Sequence, residues 1–214
     1  MGRKVGYLGP PGTFGEQAAL LYAPDADLVP FPDHAAVVFA VADGKVVGWF
    51  QGRMEWGPRA LGNRSLLADP RREDMRELIN AKVKLREPFR PFAPAVLEER
   101  AADYFEAPWV SPFMQFTFSV LPSAKGIIPA VVHVDGTSRI QTVDRDSNPR
   151  FRKLLQAFDR KTSVPILLNT SFNVNEPIVC TPEDAVACFR RTEVEWLVLG
   201  RLLAGRAKPT PGQA

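Results

Sequence analysis

At 214 residues, 45% hydrophobic and 24% charged, the chain has the length and composition of one globular domain, neither disordered nor fibrous. Its net charge of +3, from 27 basic and 24 acidic residues, suits an anionic ligand and falls short of a nucleic-acid-binding tail. Two cysteines, Cys180 and Cys188, and two histidines, His34 and His133, exclude a zinc ribbon, a finger and a disulfide scaffold.

With no signal-peptide h-region and no apolar run approaching about 18 residues, a cytoplasmic protein without a membrane span is expected. In chain order, residues 5–8 read as a strand, 15–22 as a helix and 28–31 as a strand. Asp33 can cap a helix through Ala42 that Gly44 closes, and 45–51 is a β-rich run bounded by glycines. Residues 72–84 are charged with apolar positions at helical spacing, and 114–121 alternate like a strand. Further strands are expected at 139–143, 164–168 and 196–199. Helices are expected at 149–158 and, behind a Thr181 cap and Pro182 in its first turn, through Arg190. Strands and helices interleave, so the class is α/β or α+β with one mixed sheet over residues 1–206 and a frayed tail at 207–214.

Three stretches carry candidate chemistry. Residues 52–70 set Arg53, Arg59 and Arg64 among Gly52, Gly57 and Gly62, with Ser65 following; glycines let backbone approach a ligand and guanidinium forks suit phosphate or carboxylate. A plain solvated loop is the competing reading. Residues 80–94 carry Lys82, Lys84, Arg86 and Arg90. A strand ending at Lys84-Leu85-Arg86 would aim two cations at one point, while the same alternation also guards an exposed edge strand. Residues 167–180 place Asn169, Thr170, Ser171, Asn173 and Asn175 after an apolar strand, which fits either an oxygen-rich ligand or a ligand-free turn. His133 is either an acid/base or a satisfied core residue, with Asp135 and Arg139 near enough to pair with it or with each other. No Walker loop, nucleophile elbow, dinucleotide fingerprint or HExxH motif is present, and Cys180 has no feature marking a nucleophile. Basic clusters without a nucleophile suit phosphoryl or nucleotidyl transfer by positioning and charge.

Taken together, GWFQGRMEWGPRALGNRSLLADP (48–70), NAKVKLREPFRPFAP (80–94), SPFM (111–114), HVDGTSRIQTV (133–143) and LLNTSFNVNEPIVCTPEDA (167–185) resemble the carboxy-terminal, YrdC-like domain of the carbamoyltransferases. The resemblance runs from about Lys45 to Leu203 and implies a YrdC-like twisted mixed sheet flanked by helices. It implies formation of carbamoyl-adenylate from ATP and carbamoyl phosphate, with Mg²⁺ on the leaving pyrophosphate. The family signature Lys-x-Arg and Ser-x-Asn falls on Lys84, Arg86, Ser171 and Asn173. By resemblance Lys84 and Arg86 hold carbamate and phosphate oxygens, and Ser171 and Asn173 orient the nucleotide. Arg59, Arg64 and Ser65 add phosphate contacts. Arg90, Asn169 and Thr170 complete the expected nucleotide and phosphate set, His133 joins Lys84 and Arg86 as catalytic, and no protein metal site is expected. The Kae1-like domain that transfers the carbamoyl group, with its histidine metal ligands, is expected outside the chain, so only the activation half-reaction is assigned to it, with a separate Kae1-like domain as the possible partner. A non-catalytic nucleotide- or RNA-binding module, or a fragment inactive without that partner, is the alternative. The first 44 residues, with KVGYLGPPGTFGEQAALLY, are also similar to the opening of prephenate dehydratase, but its Thr-Arg-Phe catalytic motif occurs nowhere in the chain.

Overall fold

The computed structural model describes residues 4–8, 27–31 and 35–205. The expected helix at 15–22, the Asp33 cap and the 207–214 tail lie outside them. One mixed sheet organises the rest, in the order β2-β1-β11-β10-β3-β4-β9-β5-β8. Its strands are β1 (Lys4–Leu8), β2 (Asp27–Phe31), β3 (Val47–Phe50), β4 (Arg64–Ala68), β5 (Ala93–Leu97), β8 (Gln141–Val143), β9 (Ile166–Ser171), β10 (Trp196–Leu199) and β11 (Leu202–Gly205). A separate two-stranded ribbon pairs β6 (Phe118–Ser119) with β7 (Thr137–Ser138). The mixed α/β class is as expected.

Strands β3, β4 and β5 are buried along their whole length, and β3 accordingly reads as an apolar run rather than an alternation. Helix α1 (Ala35–Ala42) ends at Gly44, whose φ of +79° takes the chain into β3. Helix α4 (Pro149–Thr162) starts on an Asn148 cap and buries Phe151, Leu154, Leu155 and Phe158. Helix α5 (Pro182–Arg191) begins with the Thr181–Asp184 capping box and Pro182 in its first turn. Two short helical turns complete the set, α2 (Met75–Ile79) and α3 (Pro122–Lys125).

Four expectations are corrected. The helix over 72–84 divides: α2 passes directly into a π-helical turn at Asn80–Lys84. Lys84 therefore ends a helical turn, not a strand, and Leu85 behind it is left-handed at φ 47°. The strand over 114–121 shrinks to the two residues of β6, which pair only with the two residues of β7, plus a bridge between Phe105 and Val120; Met114, where the expected strand begins, has a positive φ. Strand β4 falls inside the glycine- and arginine-rich stretch 52–70, for which a plain solvated loop is the competing reading and no strand is expected.

Candidate active site

Four segments meet at one narrow cavity of about 80 Å³: the loop before β4 (Pro58, Arg59, Ala60), the segment after the π-helical turn (Arg86, Pro91, Phe92, Ala93), Met114 with Arg139, and the end of β9 (Asn169, Thr170, Ser171). Sheet register puts them together. Strand β9 lies between β4 and β5, pairing Ser65 with Ser171 and Ala93 with Asn169, so the polar end of β9 opens between the arginine loop and the proline-bent segment.

Three guanidinium groups line this cavity and no carboxylate does. Arg86 gives Nε to Asn80 Oδ1 at 2.8 Å and lies 4.7 Å over the Phe92 ring, which fixes its plane. Burial, then the neighbouring Arg90, holds it below the usual arginine range. Arg139 is lowered by burial and then by Arg59, and its Nε is buried without a partner. Cations crowded together around a lining that holds no carboxylate, one with an orphan buried donor, are the electrostatic complement of an anion.

The cations that resemblance assigned to the ligand do not all reach it. Lys84 is 2% exposed and stands behind the cavity wall. Its ammonium donates to Ser171 O at 2.5 Å, Asn173 Oδ1 at 2.8 Å, Asn173 O at 2.9 Å and Ser171 Oγ at 3.2 Å. Three N–H groups shared among four oxygens leave none directed elsewhere. Burial, then Arg86, pulls this ammonium down to about 7, against weaker support from Cys188 and Glu176. The left-handed Leu85 separates the directions of Lys84 and Arg86, so one ties down the turn at 171–173 and the other faces the cavity. Asn173 lies in that turn, its Oδ1 also accepting from Ser171 Oγ.

Arg64 is likewise committed to the framework. It donates to the carbonyls of Gln51 (2.6 Å), Asn63 (3.0 Å), Gly52 (3.1 Å) and Cys180 (3.2 Å), and stacks 3.6 Å over Phe50. Ser65 is fully buried and accepts from Gly62 N–H. Glu55 fixes the same loop by accepting from Leu61 and Asn63 N–H groups.

Two expected residues sit apart. Arg90 is exposed and faces Glu87 at 3.9 Å. His133 lines a neighbouring, more apolar recess with Arg76, Phe89, Pro91, Val134 and Asp135, its Nδ1 3.2 Å from Thr137 Oγ1 and its pKa lowered mainly by burial. Of the expected set, Arg59, Arg86, Asn169, Thr170 and Ser171 share the cavity. The sequence reading missed Arg139 as a lining residue, taking it only as a neighbour of His133. The one signal available was an arginine inside an otherwise strand-like, uncharged run.

Comparison with known proteins agrees with this architecture. Residues 38–206 match the family model described as carbamoyltransferase C-terminus, and residues 5–48 match that of prephenate dehydratase. The chain is 52% identical over 175 residues to nodulation protein NolNO of Sinorhizobium fredii, covering 80% of this chain and 26% of that protein. It is 41% identical over 169 residues to 3'-hydroxymethylcephem-O-carbamoyltransferase of Streptomyces clavuligerus, covering 78% and 32%. An uncharacterized Synechocystis protein, sll1178, is 45% identical over 235 residues, covering 95% of this chain and 37% of that protein; that alignment reaches into the segment matched by the dehydratase model. The chain thus spans between about a quarter and two-fifths of these relatives. It belongs to the carbamoyltransferase C-terminus family.

Proposed function

We propose that the chain activates a carbamoyl group, forming carbamoyl-adenylate from ATP and carbamoyl phosphate. The observation that carries this reading is the cavity itself, where Arg59, Arg86 and Arg139 converge without a carboxylate. Water cleaves carbamoyl phosphate to carbamate and inorganic phosphate. A carbamate oxygen then attacks the α-phosphorus of ATP, forming the new P–O bond as the bond to the β-phosphate oxygen breaks and pyrophosphate leaves. The guanidinium groups hold the reacting oxygens and offset the charge that grows on them, chemistry by positioning and electrostatics with no covalent protein nucleophile.

The described residues do not fit a protein-built magnesium site. The cavity lining holds no carboxylate, and no group of three His, Cys, Asp or Glu side chains is placed to hold a metal among them. Mg²⁺ is proposed to arrive on the phosphates of ATP. Transfer to a hydroxyl acceptor is proposed to need a Kae1-like domain, and the longer relatives leave room for one. No helix among the described residues is long and apolar enough to cross a membrane.

The test is ATP–pyrophosphate exchange with the purified chain and Mg²⁺, with and without carbamoyl phosphate. Exchange that depends on carbamoyl phosphate is expected. ATP binding without exchange would favour a non-catalytic nucleotide-binding module or a domain that needs its partner, and salt-sensitive RNA binding in place of either would favour an RNA-binding module.

A further inference from the structure

Every charged group lining the cavity is a hydrogen-bond donor, and one lining residue, Asn169, carries an acceptor that is unused. Asn169 is 1% exposed, and its Oδ1 is buried with no hydrogen-bond partner. Its amide nitrogen is fully engaged, donating to Ala60 O at 3.2 Å and Gln141 Oε1 at 2.8 Å. The orientation is enforced by chemistry. Gln141 gives its own amide N–H to Leu61 O at 2.8 Å, so its oxygen must face Asn169. A flipped Asn169 would set oxygen against oxygen at both Ala60 and Gln141. Two main-chain carbonyls therefore dictate, one directly and one through Gln141, that Oδ1 is left without a donor. A neutral acceptor stripped of water and left unpaired is costly, unless the ligand completes it.

We propose that Asn169 is a specificity-determining residue, its Oδ1 accepting an N–H from the amino group of the carbamoyl moiety while the arginines take the oxygens. This rests on the reading of the cavity as the carbamoyl-activating site. The ligand that satisfies both demands carries anionic oxygens and an N–H₂ within a few bonds of each other, as carbamoyl phosphate and carbamate do. The amino group of an adenine is separated from its phosphates by the ribose, so it does not meet that condition in a cavity of this size. An acyl group with a methyl in place of the amino group fills the same space but leaves Oδ1 unpaired, and is rejected for that reason.

The experiment compares equilibrium binding of carbamoyl phosphate, acetyl phosphate and inorganic phosphate to the full chain at low temperature. The wild type should prefer carbamoyl phosphate over acetyl phosphate by about tenfold to a hundredfold, the effect of one buried hydrogen bond left unmade. In Asn169→Ala the preference should collapse toward unity while inorganic phosphate still binds through the arginines. Gln141→Met keeps Asn169 but releases its amide, and should lose part of the preference; it decides the matter if Asn169→Ala does not fold. A wild type that binds both acyl phosphates equally, or variants that keep the full preference, would overturn the role of Asn169 alone. A wild type that binds none of the three would overturn the reading of the cavity, and this inference with it.

Discussion

The cations of this molecule fall into two regions separated by the cavity wall. Behind it, Arg64 and Lys84 are 4% and 2% exposed; the Lys84 ammonium and the two terminal nitrogens of Arg64 donate to oxygen acceptors of the protein itself, and the Arg64 Nε is buried without a partner. In front, Arg59, Arg86 and Arg139 line open space. All of these cations except Arg139 come from the same two basic stretches of sequence, 52–70 and 80–94. What differs is whether main-chain carbonyls surround the charge, and that decides whether it holds the fold or awaits an anion.

The comparison breaks most visibly at Arg64. Arg64→Met would leave four main-chain carbonyls short of a donor, and its effect should be on stability, a loss of about 2–4 kcal/mol in denaturant unfolding. A change within about 0.5 kcal/mol would move Arg64 out of the framework. Across the wall, Arg86→Met and Arg139→Met should each weaken ATP binding about tenfold to a hundredfold, the worth of a charge-assisted bond, with unfolding midpoints close to wild type. Loss of stability without loss of affinity would place these two with Arg64.

A separate effect follows from protons. Unfolded lysine titrates near 10.5, whereas burial brings Lys84 down to about 7. Between those values the unfolded chain binds the additional proton, so this contribution to stability is present above 10.5 and lost as pH falls through about 7. Stability of the wild type relative to Lys84→Met should therefore rise from about pH 7 to about pH 10, as read from paired urea titrations; a flat difference would mean that the amine titrates normally. The smallest effect separates the cysteines. Burial pushes the Cys188 thiol up to about 11, while Cys180 is exposed. Iodoacetamide at neutral pH should alkylate Cys180 and reach Cys188 only on unfolding, and equal rates would contradict the burial.

How much of this was legible depends on what each residue meets in space. Helix α5 could be read outright, since Thr181, Pro182 and Asp184 specify its start locally. Strands β4 and β5 could not. The five residues of β4 follow a run of glycines and arginines that reads as a loop, and β5 contains Pro94, which argues against an internal strand. The pairing of β5 with both β8 and β9 overrides that local signal. At the site, spacing identified the three stretches but not the direction of each side chain. Lys84 and Arg86 are two apart, which on a strand means one face; the π-helical turn and the left-handed Leu85 send them to opposite sides of the wall. The open acceptor on Asn169 was invisible, because it arises from Ala60, Leu61 and Gln141, each distant from it in sequence.

The division between the two regions is tested most directly by titrating inorganic phosphate into the chain and following the side-chain nitrogens of arginine and lysine by NMR. The account predicts that signals of Arg59, Arg86 and Arg139 move with phosphate while those of Arg64 and Lys84 stay in place. Movement of Arg64 or Lys84 with the three others still would contradict it.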